Sequence, residues 1–537
     1  MSSRVAMTVT QFFQRMNSYS YAYGPGGVTG LRKNPYTLAS AVLASFGGLL
    51  FGYDQGVIAN VLVMRDFRQR WAMTDWQEGF MTAMLEMGAL IGALLAGVLA
   101  DRYSRRLSIL SACVVCGIGS TFQCAAQSVQ HLIIGRTIGG LGIGSLSMLA
   151  PLYMAEISPP EVRGSLMALE QFAIVLGVVF GFWMGFVTRE LTGAISWRLP
   201  LAIQLIPALY LAIGCIFLLP SPRLLIIQGK DEEALKTLAK LRLRTLGEGL
   251  NLLKLEFLEM KVEAEFIKRA TASAVGKSPI NTEIHGWMRL FSPKYVDRTM
   301  VGVIVMFFQQ WSGINALIYY GPLLMARIGL DGDTAELIGS GGVGIVQFLA
   351  VVPAIMYIDR LGRKLLLQWG GLVMGAAHLC IALLVYHYHS SWASHHFAAW
   401  AAVGCVYLFT AAYGFSIGPI AWILPSEVLP LSIRSRGTAV ATASNWVNNF
   451  IIGLVTPPLL SFSPTATFAV FSIACFGAAL WSRMYVPETA GVSLEEIDQL
   501  FKSEAGREDA ELRQEIAREV GLEALIQELS ADNNGDN

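Results

Sequence analysis

The fold class predicted by this sequence is an all-α membrane protein, with twelve transmembrane helices in two six-helix parallel repeats. Three observations predict it. Of the 537 residues, 54% are hydrophobic and only 15% charged, against about 25% charged in a soluble domain. Apolar runs recur at about 20 residues, the length a helix needs to cross a bilayer. Polar motifs that follow the second and fourth runs return after the eighth and tenth.

In chain order, residues 1–36 are polar and aromatic and read as a cytoplasmic tail. They lack the basic start, short apolar stretch and cleavage site of a signal peptide. The first bundle, 37–220, holds runs at 37–60, 77–99, 107–126, 131–154, 165–188 and 198–220. Segment 221–296 is a polar insert with helical stretches such as "KDEEALKTLAKLRLR" and reads as a cytoplasmic helical linker. Runs at 297–326, 335–357, 365–387, 397–424, 438–462 and 465–485 form the second bundle, 297–485, and 486–537 is a charged, helix-forming tail. The insert and the tail are expected to present solvated faces.

Basic residues in "DRYSRR" (101–106), "SPPEVRG" (158–164), "DRLGRK" (359–364) and "SIRSRG" (432–437) gather on one side. The positive-inside rule makes that side, with both termini, cytoplasmic. The 61–76 loop, with Arg65, Arg68 and Arg70, runs against the rule.

The repeat is chemical as well as topological. Asp101-Arg102-x-x-Arg105-Arg106 follows the second run, and Asp359-Arg360-x-x-Arg363-Lys364 the eighth; Glu156-x6-Arg163 follows the fourth, and Glu427-x6-Arg434 the tenth. Matched motifs at matched rank imply two parallel units around a midplane site, the plan of a transporter. The positive-inside rule accounts for the arginines but not for the matched glutamates. Arg102, Glu156 and Arg163, with Arg360, Glu427 and Arg434, are therefore expected to form interdomain salt bridges at a cytoplasmic gate.

Other classes are disfavoured. A net charge of zero offers no footing for nucleic acid. All seven cysteines fall inside apolar runs, where they read as small hydrophobes. "GGLGIGSLS" (139–147) lacks the strand and acidic residue of a nucleotide fingerprint and reads as small residues for close helix packing. His387, His389, His395 and His396 cluster in an outer loop with nothing to fix a metal geometry. No nucleophile–base constellation is evident, so neither an enzyme nor a cofactor is expected.

An uncharged, hydroxyl-rich ligand needs amides that both donate and accept, with aromatic faces for its C–H surface. The seventh run supplies Gln309, Gln310 and Asn315, then Tyr319 and Tyr320; the eleventh supplies Asn445, Asn448 and Asn449 beside Trp446. Gly313 and Gly418-Pro419 are expected to bend or break their helices around such a ligand.

Within "GGLLFGYDQGV" (47–57) stands a single aspartate, Asp54. By helix rise it lies roughly 8 Å outside the midpoint of its run, and Arg136 of the fourth run lies roughly 9 Å outside its own. Opposite charges at one depth are expected to pair and to mark an ion pathway.

These stretches, with "GVLADRYSRR", "GRTIGGLGIG", "PLYMAEISPPEVRG", "QQWSGINALIYY", "IDRLGRK", "GPIAWILPSEVLP", "NWVNNF" and "PETAGVSLEEI", resemble the sugar porter family of the major facilitator superfamily across nearly the whole chain. The style is closest to fungal proton-coupled monosaccharide transporters. The resemblance implies substrate binding by Gln171, Gln309, Gln310, Asn315, Trp422 and Asn449, with Gln347, Tyr413 and Asn445 as further candidates, and proton coupling at Asp54 and Arg136. Gln347 stands where many relatives carry asparagine, and "LPSPR", Ser104 and Ala490 depart from the family's cytoplasmic motifs. The expected partners are a monosaccharide (hexose or pentose), a co-transported proton and membrane lipid, in a plasma-membrane protein working as a monomer. A facilitative carrier, a polyol or disaccharide porter and a non-transporting sensor stay open as alternatives.

Overall fold

A computed structural model of the chain describes residues 34–158, 163–242, 250–272, 279–327, 333–388, 391–429, 433–489 and 504–535. Twelve helical spans run through it in two sets of six. The first set is α1 (Pro35–Val61), α2 (Asp75–Arg102), α3 (Arg105–Cys124), α4 (Val129–Ile157), α5 (Arg163–Thr188) and α6 (Ile195–Gly214). The second set is α7 (Val296–Tyr319), α8 (Asp333–Leu361), α9 (Arg363–Tyr388), α10 (His396–Pro425), α11 (Arg434–Phe462) and α12 (Pro464–Tyr485). Both ends of the described chain and the linker lie at one end of the bundles, here the linker face; the opposite end is the far face. Ten of the spans are long and apolar enough to cross a bilayer on composition alone. Helix α11 is long enough, but Asn445, Asn448, Asn449, Pro457 and Pro458 dilute its apolar character.

Local sequence sets the helix starts. Pro35 and Pro464 occupy the first turn of α1 and α12, where their missing N–H has no partner to lose. Thr74 and Gln77 form a capping box on α2, and Ser104, Ser128 and Ser463 cap α3, α4 and α12. Each such cap contributes about 1 kcal/mol. The apolar outer surface is exposed, as at Ile206, Phe217, Ile473 and Leu480. In water this would be an aggregation liability; against lipid it is the required surface.

Glycines bring the first-half helices into backbone contact. A Cβ on Gly52 would sit 1.8 Å from the Ile174 carbonyl and one on Gly181 2.3 Å from that of Tyr53, so α1 lies flush on α5. Gly140 and Gly144 do the same for α4 against α2, each 2.0 Å from a carbonyl. This is the close packing expected of "GGLGIGSLS".

Three spans are interrupted, two of them beside a proline and the third at a glycine. The amide nitrogen of Pro207 cannot donate to the Ile203 carbonyl, and α6 turns at Gln204. Pro419 leaves Phe415 unpaired in the same way, and α10 breaks at Ser416, two residues before the expected Gly418-Pro419. The span α7 breaks at Ser312-Gly313, where Gly313 has φ +93°, a value that disfavours any residue with a Cβ. It breaks again at Tyr320, ahead of Pro322.

The insert and tail are less solvated than expected. The linker helix Leu250–Ala272 packs its apolar face on the C-terminal helices Glu504–Val520 and Leu522–Gly535 through Leu255, Val262, Phe266, Ile516, Ala517 and Ile526. Arg269 on the linker pairs with Glu519 on the tail. Arg242 ties the linker to the spans, donating to Glu256 at 3.0 Å and to the Ile157 carbonyl at 2.9 Å.

Candidate functional site

Helices α1, α5, α7, α8, α10 and α11 line a narrow pocket whose empty space, in part open to solvent, is about 410 Å³. Its wall carries seven amide side chains: Gln55, Gln171, Gln309, Gln310, Asn315, Gln347 and Asn445. Phe51, Tyr413, Trp422 and aliphatic side chains of α5 and α7 supply the apolar faces.

The amides orient one another. Gln309 Nε2 donates to the Gly418 carbonyl at 2.9 Å, beside the α10 break, and Gln309 Oε1 accepts from Asn445 Nδ2 at 2.6 Å. Asn315 Nδ2 donates to Gln310 Oε1 at 2.5 Å across the α7 break. The Ser312 carbonyl, released by that break, is met by His378 Nε2 of α9 at 2.9 Å. Gln347 Oε1 and Asn445 Oδ1 are buried with no partner among the described residues. Unspent buried acceptors on a pocket wall are capacity for a ligand, because buried polar groups are otherwise paired.

Eight of the nine side chains named from the sequence for the substrate line this cavity; the exception is Asn449. Its Oδ1 accepts from the Tyr319 hydroxyl at 3.1 Å, and that hydroxyl accepts from Gln55 Nε2 at 2.9 Å. The chain Gln55–Tyr319–Asn449 joins the two halves on the far-face side of the cavity. Tyr320 adds a bond to the Gly453 carbonyl at 2.6 Å. Asn448 faces away, accepting from Trp311 Nε1 at 2.9 Å and donating to the Ser444 carbonyl at 2.8 Å.

Next to Gln55, Asp54 is 1% exposed and so is Arg136. Their nearest charged atoms, Oδ2 and Nη2, lie 3.7 Å apart. The shorter contact of Asp54 is with Gln204 at the turn in α6: Nε2 donates to Oδ1 at 2.7 Å, and Ser120 of α3 donates to Gln204 Oε1 at 2.9 Å. Arg136 gives its own hydrogen bonds to the Thr82 carbonyl of α2, at 3.1 and 3.3 Å. The pair is therefore loosely closed, with each member steadied by a neutral neighbour.

A family model described as "Sugar (and other) transporter" matches residues 40–501. The chain belongs to the sugar transporter family. This sugar porter is 30% identical to the glucose transporter GlcP of Staphylococcus epidermidis, over 89% of this chain and 99% of that one. It is 31% identical to the high glucose sensor RGT2 of Saccharomyces cerevisiae, over 88% of this chain and 61% of that one. Among solved structures it is similar to the proton:xylose symporter XylE of E. coli bound to 6-bromo-6-deoxy-D-glucose. The identity is 28% and the TM-score 0.70, over 87% of this chain and 99% of that one. It is thus a multi-pass membrane protein of the major facilitator fold, in a family of sugar transporters and not of enzymes.

At the porter's linker face the two halves repeat one pairing. Arg105 Nη2 donates to Glu156 at 2.9 Å, and Arg363 Nη2 donates to Glu427 at 2.9 Å. Both pairs join residues of one half, whereas the sequence led to bridges between halves. The arginine that meets each glutamate is the second of its motif. The side chains of Arg102, Arg163, Arg360 and Arg434 lie outside the described residues. The second half adds a clasp from beyond α12. Thr489 Oγ1 donates to Glu427 at 2.6 Å, and Glu488 accepts from the backbone N–H groups of Arg363 and Lys364 at 2.8 and 3.1 Å, capping α9.

Sequence reasoning passed over Gln55, Gln204, Glu86, Glu170 and His378. The signal that singled out Asp54, an ionisable residue inside an apolar run, was equally present in "AMLEMGA" and "MALEQFA". Glu170 is buried with both carboxyl oxygens unpartnered among the described residues, and Gly48 makes its room: a Cβ there would lie 2.8 Å from Oε1.

Proposed function

We propose that this porter moves a monosaccharide and a proton together across the membrane by alternating access. One observation carries the reading: the Asp54–Arg136 pair adjoins, through Gln55, the wall of an amide-lined pocket between the halves. An ionised Asp54 has Arg136 and Gln204 as partners. Protonation removes the charge that holds Arg136 and lets α1 and α4 shift around the sugar. Sugar and proton then favour one occluded state, and the linkage between them is reciprocal. The similarity to a protein named a proton:xylose symporter supports the reading. Gln309, Gln310, Asn315, Gln171, Gln347, Asn445 and Tyr413 bind the sugar, Trp422 stacks on it, and Asn449 acts through Tyr319. The linker face is cytoplasmic, and the Glu156 and Glu427 pairs stiffen it while the far face is open.

The test is uptake of a panel of labelled hexoses and pentoses by the purified protein in liposomes, with and without an acid exterior. Accumulation above the external concentration only with the gradient is expected. Equal uptake under both conditions would make it a facilitative carrier, and binding without uptake a sensor.

A further inference from the structure

Glu86 of α2 is 0% exposed, and neither carboxyl oxygen has a hydrogen-bond partner among the described residues. It lies one helical turn, about 6 Å by helix rise, nearer the linker face than Thr82, whose carbonyl holds Arg136. Arg136 Nη1 and Asp54 Oδ2 are likewise buried with no hydrogen-bond partner among the described residues.

The groups around this carboxyl come from several helices. The Tyr319 hydroxyl of α7 faces it, and Arg136 of α4 and Asp54 of α1 are near enough to act on it electrostatically. Tyr320 of α7 is within electrostatic reach both of Glu86 and of Glu78, two turns back on α2. Cys116 of α3 is within electrostatic reach of Asp54. Gln204 of α6 and Asn449 of α11 complete the surround without charge.

Two carboxyls therefore share one guanidinium in a site closed to water. With both ionised the cluster would hold an uncompensated buried charge, the arrangement membrane interiors tolerate least. With one proton on the two carboxyls it is neutral, and the groups titrate as a unit. Asp54 has the Gln204 hydrogen bond and the nearer approach to Arg136, while Glu86 has only the Tyr319 hydroxyl facing it, so the proton of this state rests on Glu86.

We propose that Glu86 is a second proton-carrying carboxyl of the coupling site, sharing Arg136 with Asp54 as a common counterion. A proton arriving from the far face forms an O–H bond on Asp54 and frees Arg136. Arg136 turns to Glu86, whose O–H bond breaks as its proton passes to water on the linker side. One proton enters and one leaves: the cluster gains one positive charge when Asp54 is protonated and returns to neutral when Glu86 releases its proton. The hydroxyl of Tyr319 faces Glu86 and is bonded to Gln55 on the cavity wall, so the handover is sensed at the sugar.

The proposal rests on the symport reading, which the parent protein tests in the same experiment. Full-length parent, Glu86→Gln and Glu86→Asp are reconstituted in liposomes with an acid exterior and labelled glucose or xylose. Accumulation by Glu86→Gln should fall about tenfold or more while exchange of sugar for sugar stays within about twofold, and Glu86→Asp should keep accumulation within roughly threefold of the parent. A parent that ignores the gradient overturns symport and relay together. A responsive parent with an equally responsive Glu86→Gln overturns the relay alone. If Glu86→Gln loses exchange as well, infrared spectra of the parent and Glu86→Asp at neutral pH decide. The protonated-carboxyl band should shift between them, and an unshifted band overturns the proposal.

Discussion

In the first half of this porter the spanning helices bury Asp54, Glu86, Arg136 and Glu170. In the second half, among the described residues, no carboxylate is buried within the spans. Its buried polar groups include the amides Gln309, Gln310, Asn315, Gln347, Asn445 and Asn449, with His378 and several hydroxyls, and the arginines Arg298 and Arg363 stand near the linker face. The halves share a fold and a linker-face pairing, Arg105–Glu156 against Arg363–Glu427, yet their interiors differ in kind. A carboxylate and a guanidinium are suited to a proton; neutral amides are suited to hydroxyls, which they bind without the desolvation cost of a charge. Separating the two leaves their linkage to a few contacts between halves, of which Gln55–Tyr319–Asn449 is the most direct.

The sharpest way to break this division is Asp54→Asn, a permanent mimic of the neutral carboxyl. Accumulation in proteoliposomes with an acid exterior should be lost, and sugar exchange retained. An Asp54→Asn protein that still concentrates sugar several-fold would make the first-half charges structural.

Next in size is Gln309→Ala on the amide side. It leaves sugar hydroxyls and Asn445 unpaired, at roughly 1–3 kcal/mol, or about 5- to 150-fold in apparent affinity. The response to an imposed pH gradient should persist. Measured KM values with and without the gradient separate the two effects, and a loss of gradient response with unchanged affinity would reverse the assignment of halves.

Paired Glu156→Gln and Glu427→Gln should loosen the linker face in both halves and bias the carrier toward opening there. Net uptake falls while equilibrium binding survives, since a ligand shifts states only by its differential affinity. Cysteine-accessibility labelling from each face reads the bias. Labelling identical to the parent would confine these pairs to helix packing.

A smaller effect is expected of Tyr319→Phe, which cuts the hydroxyl between Gln55 and Asn449. Removing one such bond should cost about 0.5–1.5 kcal/mol, expressed in the linkage. The shift of sugar affinity between acid and neutral pH should shrink, with maximal exchange little changed. A full pH response in the Tyr319→Phe protein would move the linkage to another contact.

The smallest concerns the tail. The Arg269 guanidinium holds the Glu519 carboxyl below the usual carboxylate range. The contact therefore contributes above that range and is lost as pH falls through the lowered value. Because both groups are exposed, Glu519→Gln should leave uptake unchanged. Only limited proteolysis of the tail should show faster cleavage, and uptake altered as strongly as by Gln309→Ala would make the tail part of the transport cycle.

Much of this molecule was legible in its residues. Helix length, the small-residue faces and the matched motifs follow from the bilayer's thickness and from the ban on unpaired backbone in lipid, which act on each segment separately. Amides and acids inside apolar runs were equally visible, because their cost is local. Which of them meet is decided elsewhere. Asp54 lies 82 positions from Arg136 and 150 from Gln204, a separation that no periodicity spans. Likewise, the choice of Arg105 over Arg102 for Glu156 depends on how two helix ends are turned. Sequence alone determined that charges and amides are buried in this membrane protein, since burial cost is a property of one residue in its own helix. Only the tertiary structure decided which of them meet, Asp54 with Gln204 and Arg136 and the amides around one pocket, because pairing depends on how separate helices pack.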